Sequence, residues 1–123
     1  MMEPLTLTLC FQDDLVLLNA SIIEILEHPK QVQILINDEE KMLALRVCSV
    51  EDPQAIVLPK GMTQEVEIGG RVLLKKIKKL TGWSDDQTRV LYGDYMPSHQ
   101  AVRFRLMEAE PLQTETSENP SEG

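Results

Sequence analysis

Residues 15–47, LVLLNASIIEILEHPKQVQILINDEEKMLALRV, change their hydrophobic period twice, and that change decides the fold. Leu15 to Leu18 form a short apolar run. Ser21 and Glu24 then stand at the S-x-x-E spacing in which a hydroxyl caps a helix and the carboxylate reaches back to an orphan N–H. Ile22, Ile23, Ile25 and Leu26 supply that helix with an apolar face, and Pro29 ends it. From Val32 the period returns to two. Val32, Ile34 and Ile36 alternate with Gln31 and Gln33, and Asp38-Glu39-Glu40-Lys41 makes a polar turn into a strand from Met42 to Val47. The stretch reads as strand, short helix and hairpin, which places the chain in the α+β class.

Upstream, Leu5, Leu7, Leu9 and Phe11 alternate with Thr6, Thr8 and Cys10, a half-buried strand that ends at Gln12-Asp13-Asp14 and forms a hairpin with the run after it. Downstream, residues 49–64 are a connector rich in turn formers, Ser49, Asp52, Pro53, Pro59 and Gly61, interrupted by the apolar run from Ala55 to Leu58. Beyond it the order repeats. Glu65 to Ile68 reads as a strand, Gly69-Gly70 as a break, and Arg71 to Leu80 as an amphipathic helix with Leu73, Leu74, Ile77 and Leu80 on one face. Gly82 is a natural helix stop. Thr88 to Tyr92 reads as a strand. Gly93-Asp94 and Pro97-Ser98 punctuate the connection to a last strand, in which Val102, Phe104 and Leu106 alternate with Arg103 and Arg105. Few identities survive between the halves, so the repeat is one of architecture. Each half is too short to bury an independent core, so two small hairpin and helix units are expected to share one, or two chains to interleave.

The 123 residues carry 20 Asp and Glu against 12 Lys and Arg, for a net charge of −8, but the charge is uneven. Residues 1–54, the first unit, hold three basic and ten acidic residues, while residues 55–107, the second, hold nine basic and five acidic. Residues 108–123 hold five Glu and no basic residue, with Pro, Ser, Thr and Gly filling most of the rest; a disordered acidic tail is expected there. No apolar run approaches the roughly 18 residues that span a bilayer, and the N-terminus lacks a basic start and apolar stretch, so a cytoplasmic location without membrane contact is expected. Cys10 and Cys48 form no CxxC pair, and two histidines without a Cys/His cluster leave no metal site to argue. Without a GxGxxG, P-loop, HExxH or GxSxG motif, the sequence points to no cofactor, no catalytic residues and no enzyme.

Two charged sets are the candidate sites. Arg71, Lys75, Lys76, Lys78 and Lys79 crowd into nine residues opposite the helix's apolar face, and Arg103 and Arg105 form a second row on the last strand. Such a surface tracks a phosphate backbone through charge with little base selectivity, although a solvated helix face has the same appearance. Asp13, Asp14, Asp38, Glu39 and Glu40 sit at two turns, where Asp also serves local hydrogen bonding; they are the candidates for a basic protein partner. Trp83 reads as a plug behind the helix end, and Tyr92 and Tyr95 as a stacking pair or an ordinary turn.

Residues 15–47, and VEIGGRVLLKKIKKLTGWSDDQTRVLYGDY (66–95) with AVRFRL (101–106), each resemble one unit of the swapped-hairpin regulators of AbrB and MraZ type. Tandem units are the MraZ arrangement. The resemblance implies an oligomeric transcription regulator that contacts DNA; the chain also resembles short uncharacterised proteins of Gram-positive bacteria, which carry no function with them. Where the family has Gly and a basic residue in the first hairpin, this chain has Gln12-Asp13-Asp14, and Leu18-Asn19 replaces the family's Ile-Pro. Two carboxylates at a hairpin tip repel phosphate, so DNA contact is expected from the second unit, with Gly69, Gly70 and Arg71. The rival expectation is a protein-interaction or inhibitory module of a mobile element that uses the acidic first half. A third is an assembly subunit held by attraction between unlike halves.

Overall fold

Alternation sets the strands. In the computed structural model, which describes residues 4–49, 51–58 and 64–111, β1 (Thr6–Cys10) buries Leu7 and Leu9, and β2 (Leu15–Leu18) buries Val16 and Leu18. The two form a hairpin with Leu7 opposite Leu18 and Cys10 opposite Leu15. The short helix α1 (Ala20–Ile25) follows, but its cap is not Ser21. The side-chain oxygen of Asn19 accepts from the Ile22 N–H at 3.2 Å, while its Nδ2 donates to the Pro4 carbonyl at 2.8 Å. One amide thus starts the helix and ties down the incoming chain, which displaces the expected capping box. After α1 the chain turns through two left-handed residues, Glu27 and His28 (φ 62° and 53°), and the His28 N–H donates to the Ile23 carbonyl at 2.9 Å.

The next hairpin is the one expected: β3 (Gln31–Asn37) and β4 (Met42–Val47) pair from Val32 opposite Val47 to Asn37 opposite Met42. Gln33 is a buried polar residue, and Arg46 across the ladder donates to its side-chain oxygen at 2.7 Å, which removes the penalty of an unpaired buried amide. The connector yields β5 (Ile56–Val57), paired to β3, and then come β6 (Val66–Gly69) and α2 (Arg71–Thr81). α2 buries Leu74 and Ile77, half-buries Leu73 and Leu80, and ends at Gly82 with φ 83°.

The largest departure from the sequence reading is β7 (Arg89–Met96). Gly93-Asp94 does not interrupt it: Gly93 lies opposite Phe104 and Asp94 opposite Arg103 on β8 (Ala101–Arg105). A Cβ at position 93 would stand 2.4 Å from Val102 Cγ1 and 2.6 Å from Phe104 Cε2, so the glycine marks a close approach inside a strand rather than a turn. The turn comes later, at the 3-10 segment Pro97–His99. The expected start of the disordered tail is also corrected. Leu106–Glu108 form a second 3-10 turn, and β9 (Glu110–Pro111) pairs with Arg89 and Val90; residues 112–123, like Pro59 and Gly61 of the connector, lie outside the described residues.

All pairings among the described residues are antiparallel, and the strands run β5-β3-β4-β8-β7-β1-β2-β6 with β9 beside β7. The first half of β7 pairs with β1 and the second with β8, so the sheet curls at this strand. Leu7, Leu9 and Val16 from one arm join Val32, Leu43, Leu45 and Phe104 from the other in one buried cluster, against which the helices pack Ile22, Ile23, Leu74 and Ile77. The fold is therefore a small, mostly β member of the α+β class, and strands of residues 1–54 and 55–107 alternate within one sheet.

The pairing scheme has an internal symmetry. Exchanging β1, β2, α1, β3 and β4 for β5, β6, α2, β7 and β8 carries β3·β4 into β7·β8 and β3·β5 into β7·β1. It carries β2·β6 and β4·β8 into themselves, with Leu15 opposite Gly69 and Leu18 opposite Val66 in mirror register. Apart from the short β7·β9 pairing, one pairing lacks its counterpart. β1·β2 is a hairpin, whereas β5 and β6 are the two ends of the sheet, with no pairing between them among the described residues.

Candidate nucleic-acid interface

α2 presents the basic set as a consequence of its period: with Leu74 and Ile77 buried, the solvent face receives Arg71, Lys75, Lys76, Lys78 and Lys79. No acid lies in its first turn, and Lys78 and Lys79 lie in its last, where cations favour the carbonyl end of the helix dipole. The face is not uniformly free. Lys76 Nζ lies 3.7 Å from Asp38 in the β3–β4 turn, and Lys78 pairs with Asp86 while its ammonium stands 5.2 Å from the Phe11 ring centroid. Arg71, Lys75 and Lys79 enter none of the ion pairs among the described residues. Their spacing of four places them along one stripe of the helix, about 6 Å apart along its axis.

The second row behaves differently. Asp94 of β7 receives both arginines across the β7·β8 ladder, Arg105 at 3.0 Å and Arg103 at 3.8 Å, and Arg105 also approaches Glu108 at 4.0 Å. Arg103 Nε is buried without a hydrogen-bond partner among the described residues. No hydrogen bond or ion pair joins this row to α2 among the described residues. Sequence reasoning missed Asp94 because a Gly-Asp pair reads as a turn; the alternation of Arg103 and Arg105 opposite a strand acid was the available signal.

The acidic candidates divide similarly. Asp13 and Asp14 form the tip of the β1–β2 hairpin, where the left-handed Asp14 (φ 56°) accepts the Gly70 N–H on its carbonyl at 2.8 Å. Asp38, Glu39 and Glu40 form the β3–β4 turn, where the Asn37 side chain accepts the N–H groups of Glu39 and Glu40, each at 3.0 Å. Of the five acids only Asp38 is in an ion pair among the described residues, and its partner is Lys76 of the basic half. One ion pair between the unlike halves therefore lies within a single chain.

Beyond the end of α2 lies a cluster that the sequence did not expose. Trp83 packs edge-on against Phe11, with ring centroids 6.2 Å apart, and the Arg89 guanidinium stacks 4.2 Å from the Trp83 ring. Arg89 also donates to both oxygens of Asp85, at 3.1 and 3.2 Å. Asp85 has its carboxyl held below the usual aspartate range, chiefly by the Gln87 N–H that donates to it at 2.9 Å and then by Arg89. Tyr92 and Tyr95 are three residues apart on β7 and so face opposite sides of the sheet, which separates them as a stacking pair. Desolvation raises the pKa of the Cys10 thiol, with Asp13, Glu65 and Glu67 adding to it; Cys48 is raised by desolvation and Asp52. Both thiols are therefore poor nucleophiles at neutral pH.

Among the described residues, no group of three or more His, Cys, Asp or Glu side chains is arranged to hold a metal ion, and no helix is long and apolar enough to cross a membrane. Comparison with known proteins adds no family: no family model matches the chain, and no curated protein or solved structure matches it.

Proposed function

We propose that this protein is a small non-enzymatic cytoplasmic regulator that contacts nucleic-acid phosphates through Arg71, Lys75 and Lys79. The observation that carries this reading is the stripe itself: three cations without ion-pair partners among the described residues, on one line of an eleven-residue helix with no acid in its first turn. Lys76 and Lys78 flank the stripe in exposed pairs of small net value, and phosphate can compete for both. Arg103 and Arg105 belong to Asp94 and contribute less than the sequence suggested. The proposal extends to the fold: two AbrB/MraZ-like units fused in tandem, supported by a pairing scheme that exchanges the halves.

The test is fluorescence anisotropy of a labelled random duplex at two salt concentrations with the full chain. Three phosphate contacts give a log–log salt slope of about −3, and each cation removed lowers its magnitude by about one. Arg71→Gln, Lys75→Gln and Lys79→Gln together should abolish binding, whereas Arg103→Gln with Arg105→Gln should leave most of it. No binding at the lower salt overturns the reading.

A second reading is supported by the acids at the hairpin tips. Asp13, Asp14, Glu39 and Glu40 are in no ion pair among the described residues and would meet a basic protein, as an inhibitory module of a mobile element would require. Charge reversal at Asp13 and Asp14 should then abolish capture of that partner and leave or improve DNA binding. Homo-oligomer formation belongs to both readings, and sedimentation across a range of protein concentrations tests it.

A further inference from the structure

The sheet's two ends, β6 and β5 with the adjoining edge of β3, flank an open groove of about 900 Å³. Among the described residues β6 pairs only with β2, so its other edge has no strand partner there, and β5 covers β3 only at Gln31 and Val32, which leaves Gln33–Asn37 without a strand partner on that side. The groove is lined by apolar side chains from four elements, among them Ile34 and Ile36 of β3, Ile56 of β5, Ile68 of β6 and Val72 of α2. Three of the exposed large hydrophobic residues gather here: Val72 (81% exposed) and Leu35 (37%) line the groove, and Val57 (71%) belongs to the β5 edge. Exposed apolar patches rimmed by polar groups mark interaction sites, and a free strand edge is a template for another strand.

We infer that this groove binds an extended peptide of another protein, added as a strand to the free edges, with alternating apolar side chains and a carboxylate that meets Arg71. The length follows from the edges. Five residues of β3 and four of β6 are available, so a partner strand of about five residues, roughly 17 Å, fills them. The apolar alternation follows from the pleat, which turns every second side chain of an added strand toward the lining. The charge follows from Arg71, which lines the groove and is in no ion pair among the described residues, while Lys76 stands beside it and Asp38 occupies only Lys76. Asp14, the acid in the lining, disfavours a second carboxylate at its own position and so restricts the peptide to one orientation. The symmetric pairing scheme points to the same kind of contact: the corresponding strands β1 and β2 are joined by strand pairing, which β5 and β6 lack among the described residues.

This inference stands apart from the nucleic-acid reading and shares only Arg71 and Lys76 with it. Its test uses the full chain and a fluorescein-labelled peptide of about seven residues that alternates valine with threonine and ends in glutamate. Saturable binding, with amide exchange slowed in Gln33–Asn37 and Val66–Gly69, is the expected result. Arg71→Gln should weaken it about five-fold. Val72→Asp, at an exposed site in the first turn of α2 where an acid suits the helix, should abolish it with the fold intact. Absence of exchange protection at saturating peptide overturns the inference, as does undiminished binding to Val72→Asp. Equal affinity for the probe ending in glutamine overturns the assigned charge. Slowed exchange at the same amides without peptide, rising with protein concentration, overturns the assigned occupant in favour of a second copy of this chain.

Discussion

β1 with β2 and β5 with β6 occupy equivalent places in a symmetric pairing scheme, yet among the described residues one is a closed hairpin and the other an open seam. The difference lies in what each sequence can bury. β1 alternates Leu7 and Leu9 into the core over five residues, and its turn at residues 11–14 leads directly into β2. β5 is two residues long, with Ile56 half-buried and Val57 exposed, and Pro53 and Pro59 flank it with residues that cannot donate to a ladder. A strand persists where its inward side chains have a core to enter; topology alone does not close a sheet.

The sharpest way to break the comparison is at β7, where both arms meet. Gly93→Val forces a side chain against Val102 and Phe104 and should destabilise the whole chain by at least about 3 kcal/mol in denaturant unfolding. A cost below about 1 kcal/mol would mean that the arms do not close on each other there. Next come the equivalent edge positions. Leu7→Ala should cost about 3 kcal/mol, because the side chain is fully buried, while Ile56→Ala should cost about 1 kcal/mol or less. Equal costs would contradict the distinction between closed and open edges.

The two helix starts give a smaller contrast. α1 has six residues and depends on Asn19, so Asn19→Ala should cost about 1 kcal/mol in thermal or chemical unfolding. α2 starts at Gly70 without a side-chain cap, held by its apolar face, and Gly70 lies so close to β2 that a Cβ would stand 2.9 Å from Val16 Cγ2. Gly70→Ser should therefore destabilise despite supplying a capping hydroxyl. The smallest effect concerns the connections after the helices. Asp85 has a lowered pKa, so its contribution is present above the ordinary aspartate range and lost as pH falls through the lowered value. Asp85→Asn should remove that acid-side dependence and leave stability at alkaline pH dependent on other groups; carboxyl chemical shifts followed by NMR check the direction.

Much of this was legible because period is local. The alternation of Leu5 to Phe11, the β3–β4 hairpin and the apolar face of α2 all follow from spacing within a dozen residues. Asn19 escaped because Ser21 and Glu24 match a capping pattern that competes with it, and its contacts to Ile22 and Pro4 are visible only in the folded chain. Gly93 escaped because a glycine before an aspartate has the composition of a turn, while the reason for it, Phe104, lies across the sheet. The candidate site was legible as charge and not as pairing. Arg103 and Arg105 alternate correctly, but Asp94 pairs with both from a neighbouring strand, and Asp38 reaches Lys76 from the other half of the chain. Long-range register is what local periodicity does not carry.

Hydrogen exchange of the full chain without ligand tests the central claim most directly. Amides in Thr6–Cys10 and Leu15–Leu18 should be slow on both sides of their hairpin, whereas the amides of Val66–Gly69 that face away from β2, and those of Gln33–Asn37 that face away from β4, should exchange orders of magnitude faster. Uniformly slow exchange along β6 and β3 at high dilution would mean that the seam is closed, and would contradict the account.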